Sequence, residues 1–147
     1  MRLLFYFLLF AGLGVALELL WTGLMRLKKN WNPRVIGTST LWMFPIYGCV
    51  LFIVLLIHWL YGDYPWYIRG VMYMGLILAW EYFSGWIIRS LVGVAPWDYA
   101  VETEDKMGAP KRWHVSGLIC LEYAPMWFVL GLVAELFFLF LQGHMIF

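Results

Sequence analysis

The chain alternates between long apolar runs and short polar joins. The apolar runs cover residues 3–25, 41–60, 70–88 and 117–141. Each is close to or above the roughly 20 helical residues that cross a hydrocarbon core of about 30 Å. Runs of this length are too long for the strands of a membrane barrel, and they lack strict alternation. Helices satisfy their own backbone hydrogen bonds, as lipid demands. The pattern therefore predicts an all-α fold: an integral membrane four-helix bundle forming a single four-span domain. Glu18 interrupts the first run and no small-x-small cleavage site follows it, so that run is expected to be a retained helix and not a signal peptide.

Composition narrows the class. Hydrophobic residues make up 64% of the chain and charged residues 13%. A soluble domain is about half apolar and a quarter charged. This excludes a soluble globule, a disordered tail and a nucleic-acid-binding module, and makes the lipid bilayer the first partner. Charge then orients the spans. Arg26, Lys28, Lys29 and Arg34 follow the first span, and Arg89, Lys106, Lys111 and Arg112 lie between the third and fourth. Only Arg2 and Arg69 fall on the other side. Basic residues favour the cytoplasm, so both termini are expected to be extracytoplasmic. Cys49 and Cys120 fall within spans and read as reduced packing residues. Tryptophans and tyrosines crowd the span ends as an interfacial belt.

The two predicted hairpins resemble one another. Glu18 precedes Arg26 by the spacing at which Glu81 precedes Arg89. Gly37 precedes Pro45, in GTSTLWMFP, by the spacing at which Gly117 precedes Pro125, in GLICLEYAP. A duplication would relate two tandem hairpins that start on the same side, by a pseudo-two-fold axis along the membrane normal.

Four carboxylates lie inside spans, where they are costly and point to function. Glu18 and Glu81 each precede the basic residue that ends their helix by eight positions, and Glu122 follows His114 by eight. Eight helical residues rise about 12 Å, which puts Glu18, Glu81 and Glu122 at one level in the cytoplasmic half. Glu135 is expected to stand apart, near the outer face. Tyr47 and Tyr123 are candidate donors to the cluster, and Pro45 would leave the carbonyl of Leu41 available. Carboxylates so close cannot all stay ionised in a low dielectric, so they would hold protons or meet a cation. Protonated glutamates bonded between helices are the structural alternative. The loop motif Trp97, Asp98, Tyr99 ends the third helix region. Asp98 there could cap a turn or pair with Arg89 or Arg112. A metal site stays open, with no histidine well placed beside the cluster. His58 is expected at the outer end of its helix, as an interfacial residue.

The chain lacks a GxxxxGK[ST] phosphate loop and the HExxH, GxSxG and CxxC patterns. No cofactor is implied, and catalysis is the least supported class. Two readings compete. One is a transporter-like or ligand-binding membrane protein using Glu18, Glu81 and Glu122, oriented by Tyr47 and Tyr123. The other is a non-catalytic assembly or regulatory subunit of a membrane complex. Four helices enclose little room, so either implies a homo-oligomer or another membrane protein as partner.

The runs NWNPRVIGTSTLWMFPIYG, WEYFSGWIIRSLVGVAPWDY and GLICLEYAPMWF resemble signatures of the transmembrane protein 229 family and of related bacterial proteins called CmpB-like, ABC-transporter type IV. The resemblance covers roughly residues 15–130. It implies a small multi-pass membrane protein, mostly of unassigned biochemistry. Its motifs fall on Glu81, Gly85, Trp97, Asp98, Tyr99, Gly117, Glu122, Tyr123 and Trp127. The segment 101–116 is longer than vertebrate members lead one to expect.

Overall fold

The computed structural model describes residues 1–29, 34–100 and 113–144. Its helices are α1 (Arg2–Lys29), α2 (Met43–Tyr61), α3 (Trp66–Val92) and α4 (Ala124–His144). All four are long and apolar enough to cross a membrane. The all-α, four-helix membrane architecture expected from the hydropathy pattern is what the chain adopts. Lys106, Lys111 and Arg112, which entered the charge count, lie outside the described residues.

The helices pack as two sequential pairs, α1 on α2 and α3 on α4, and α2 also packs on α3 and α4. Rings join α1 to α4 near the N-terminal end of α1: Tyr6 meets Phe138 at 6.0 Å and Phe10 meets Phe137 at 5.6 Å. This end of the bundle, closed by the α2–α3 turn, is the turn end. Its core is Phe10, Leu51, Val54, Ile57, Tyr73, Ile77 and Phe138. The opposite end carries the longer connections and is the loop end. A second apolar cluster, Ile46, Ile88 and Trp97, lies on that side.

Helix α4 starts later than the apolar run from residue 117 predicts. His114–Val115 (β1) and Ile119–Cys120 (β2) form a small antiparallel pair, followed by a tight helical turn at Leu121–Tyr123. Gly117 closes the pair at φ +71°, a left-handed conformation that glycine adopts without cost, and a Cβ there would collide with Asp98. Hydropathy cannot register this, because an apolar hairpin and an apolar helix read alike.

The two hairpins carry matched contacts. Arg26 Nη1 donates to the Ile36 carbonyl at 3.3 Å, and Arg89 Nη1 donates to the Ser116 carbonyl at 3.2 Å. These pairs keep the sequence offsets of Glu18 to Glu81 and of Gly37 to Gly117. Inside the pairs, Phe7 of α1 packs on Gly48 of α2, and Phe128 of α4 packs on Gly70 of α3. The same offsets carry Phe7 to Gly70 and Gly48 to Phe128. Ring and gap have exchanged helices, and each glycine lets its partner's ring reach the helix backbone.

Candidate functional site

Glu18 of α1 lies under the segment that enters α2. Ser39 Oγ donates to Glu18 Oε2 at 2.6 Å. That segment is held by Thr22, whose Oγ1 accepts from the Thr38 backbone N–H at 2.9 Å. Tyr47 of α2, its ring against Gly14, lies within hydrogen-bonding reach of Glu18 and electrostatic reach of Glu81. Carboxylates of two helices therefore act electrostatically on one phenol.

Glu81 of α3 is buried, with 9% of its surface exposed. The motif Trp97, Asp98, Tyr99 folds back to cover it. Trp97 is buried against Gly85 and Leu118, and its Nε1 donates to the Leu118 carbonyl at 2.8 Å. Asp98 Oδ1 accepts from the Ala100 N–H at 2.8 Å, so Asp98 caps the turn, while Arg89 turns to Ser116. The Tyr99 N–H donates to the Gly117 carbonyl at 2.8 Å. These contacts deliver the Tyr99 hydroxyl to Glu81 Oε1 at 2.7 Å. Burial first, and the Glu81 carboxylate second, push the Tyr99 phenol well above its usual range. It stays a neutral donor across physiological pH.

The second oxygen of Glu81 is different. Among the described residues Oε2 is buried without a hydrogen-bond partner, and so is the indole Nε1 of Trp127. The two groups are neighbours without completing a bond of good geometry. Tyr123 packs its ring against Tyr99, with centroids 5.8 Å apart at 62°. The structure thus gathers Glu18, Tyr47, Glu81, Tyr99, Tyr123 and Trp127 near the loop end.

Glu122 is not placed among these buried groups. It is exposed, on the turn at Leu121–Tyr123. The depth estimate assumed helix from His114 onward, and the strand pair removes that rise. The carbonyl of Leu41 is not free either, since it accepts from the Phe44 N–H at 3.2 Å in the tight turn that starts α2. Among the described residues no three His, Cys, Asp or Glu side chains gather as a metal centre would need.

A second polar cluster sits at the turn end. Glu135 of α4 is 2% exposed, and its Oε2 accepts from Arg69 Nε of α3 at 3.0 Å. Arg69 Nη1 also donates to the carbonyls of Gly62, at 3.2 Å, and Tyr64, at 2.6 Å, after α2. His58 Nδ1 lies 3.7 Å from Glu135 Oε1. The hydroxyl of Tyr73, buried nearby, makes no hydrogen bond of good geometry. The pairing of Glu135 with Arg69 was not among the expectations from the sequence. The available signal was a lone basic residue in an apolar flank, at the membrane level of a lone buried acid.

Four apolar helices enclosing buried acids near both ends define a multi-pass integral membrane protein. The chain belongs to the family described as Putative ABC-transporter type IV, whose model matches residues 5–146. No solved structure matches it.

Proposed function

We propose that this chain is a transporter-like membrane protein in which Glu18 and Glu81 take up protons or a cation. Tyr47 couples the two acids, and Tyr99, backed by Tyr123, holds Glu81. The observation that carries this reading is Glu81 Oε2, a buried acceptor with no hydrogen bond of good geometry among the described residues. An acid kept only for packing would have both oxygens satisfied, because an unpaired buried polar atom costs about 1–3 kcal/mol. Glu122 stands at the mouth of the site, and the Trp97–Asp98–Tyr99 motif is its cover. The family's description points to a transporter class, and the motif likeness to the transmembrane protein 229 family agrees with a multi-pass protein. This chain carries no phosphate loop, so coupling to ATP would come from another subunit. Four helices leave little interior room, which favours a homo-oligomer or a membrane partner. The excess of Arg26, Lys28, Lys29, Arg34 and Arg89 at the loop end supports a cytoplasmic loop end with both termini outside.

The test is flux of protons or potassium in proteoliposomes. Glu81→Gln and Glu18→Gln should abolish it, and Glu122→Gln should lower it. Wild-type protein without flux, or Glu81→Gln with full flux, removes the transport reading. A stoichiometric membrane partner retained by these variants would then favour the assembly role. A C-terminal reporter active only in the cytoplasm would reverse the orientation.

A further inference from the structure

The chemistry around Glu81 restricts what could complete it. Tyr99 already donates to Oε1, and the Trp127 indole is a donor with no acceptor capacity. Among the described residues the Trp127 N–H is the donor beside Oε2 and completes no bond of good geometry to it, so a partner that does must bring its own donor or positive charge. A hard metal ion would want about six to eight oxygen ligands. The described residues here supply two carboxylates, with phenols already turned to them as donors. What the site does supply in number is aromatic surface. Tyr47, Tyr99 and Trp127 lie beside the Glu81 carboxyl, and the Tyr123 ring meets that of Tyr99. Rings around a carboxylate are the chemistry that recognises an organic ammonium group, because cations are attracted to ring faces within about 6 Å.

We infer that this site binds a primary organic ammonium. One N–H donates to Glu81 Oε2, and the carbon next to nitrogen rests against the rings of Tyr99, Tyr123 and Trp127. A quaternary ammonium has no N–H, so it leaves Oε2 without a donor and binds less well. The site is closed in this structure, so entry requires the Tyr99 or Trp127 side chain to swing aside. This deepens the reading above and rests on it, since it names the class of cation that Glu81 receives. Two sources carry the same chemistry: a free amine from water, and the headgroup of an ethanolamine phospholipid.

The experiment uses the full chain in nanodiscs. In phosphatidylcholine discs, ethanolamine is titrated by calorimetry against choline and potassium. In discs containing phosphatidylethanolamine, native mass spectrometry reads retained lipid. Saturable ethanolamine binding assigns the free amine, and selective retention of phosphatidylethanolamine assigns the headgroup. In either case Glu81→Gln should weaken binding at least about tenfold. Tyr123→Leu, which keeps both carboxylates, should weaken it as well and covers the case in which the first variant fails to fold. The inference is overturned if neither source binds, if choline or potassium matches the primary amine, or if both variants bind undiminished. Glutamate-dependent flux without amine binding removes this inference alone. Amine binding without any glutamate-dependent flux removes the transport reading and leaves the site.

Discussion

The two hairpins share a scaffold and differ at the acid. In the first, Glu18 is served by the Ser39 and Tyr47 hydroxyls. In the second, the residue matching Tyr47 is Trp127, whose indole completes no bond of good geometry to Glu81 Oε2, and no other described residue does. The partner for Oε1 comes from Tyr99, in a segment after α3 that has no counterpart among the described residues after α1. The scaffold contacts — arginine to carbonyl, phenylalanine to glycine — survive in both halves. The difference teaches where constraint lies. Helix packing is kept because either half must bury its own backbone in lipid. The acid's surroundings are free to diverge, and one half then holds its carboxylate while the other leaves it open.

The largest expected effect tests the shared part. Gly48→Leu and Gly70→Leu each force a side chain into a facing phenylalanine ring. Both should cost about 1–3 kcal/mol or more, read as lowered thermal stability in detergent. A large loss in one hairpin with none in the other would break the equivalence.

The next prediction tests the difference. Tyr47→Phe removes a hydroxyl that Glu18 uses and should cost about 0.6 kcal/mol, a typical interhelical bond. Trp127→Phe removes an N–H that has no acceptor and should be neutral or stabilising. Equal losses in denaturant unfolding would erase the asymmetry.

A pH test concerns Tyr99 alone. Its phenol is raised in the folded state by burial and by Glu81. Its contribution to stability is complete below the unfolded tyrosine value of about 10 and falls as pH rises beyond that. Stability should therefore drop in alkali, and Tyr99→Phe should shrink the drop. An unchanged alkaline profile would mean that other tyrosines dominate. The smallest effect belongs to the matched arginines. Arg26→Lys and Arg89→Lys each weaken one bond to a carbonyl at an exposed site, so both changes should be small and similar.

Much of this fold is legible one residue at a time. The length of each apolar run fixes four spanning helices, since lipid leaves an isolated backbone no other way to satisfy its hydrogen bonds. The matched spacings Glu18–Arg26 and Glu81–Arg89 make the two hairpins look alike, because helical rise turns sequence distance into distance along the helix. That conversion failed at Glu122, where the chain before it is a strand pair and not a helix. It was silent on Arg69 and Glu135, residues on different helices whose pairing no local pattern encodes.

The sequence by itself thus determined the class of protein and the number of spans. Those follow from hydrophobicity and helix geometry, which act locally along the chain. Only the tertiary structure decided which acid is satisfied. The Tyr99 hydroxyl reaches Glu81 because Trp97 anchors on Leu118 and Gly117 turns beneath Asp98. Such a partnership depends on segments far apart in sequence meeting at one point, and a side chain's hydrogen bond is set by that meeting and not by its neighbours in the chain.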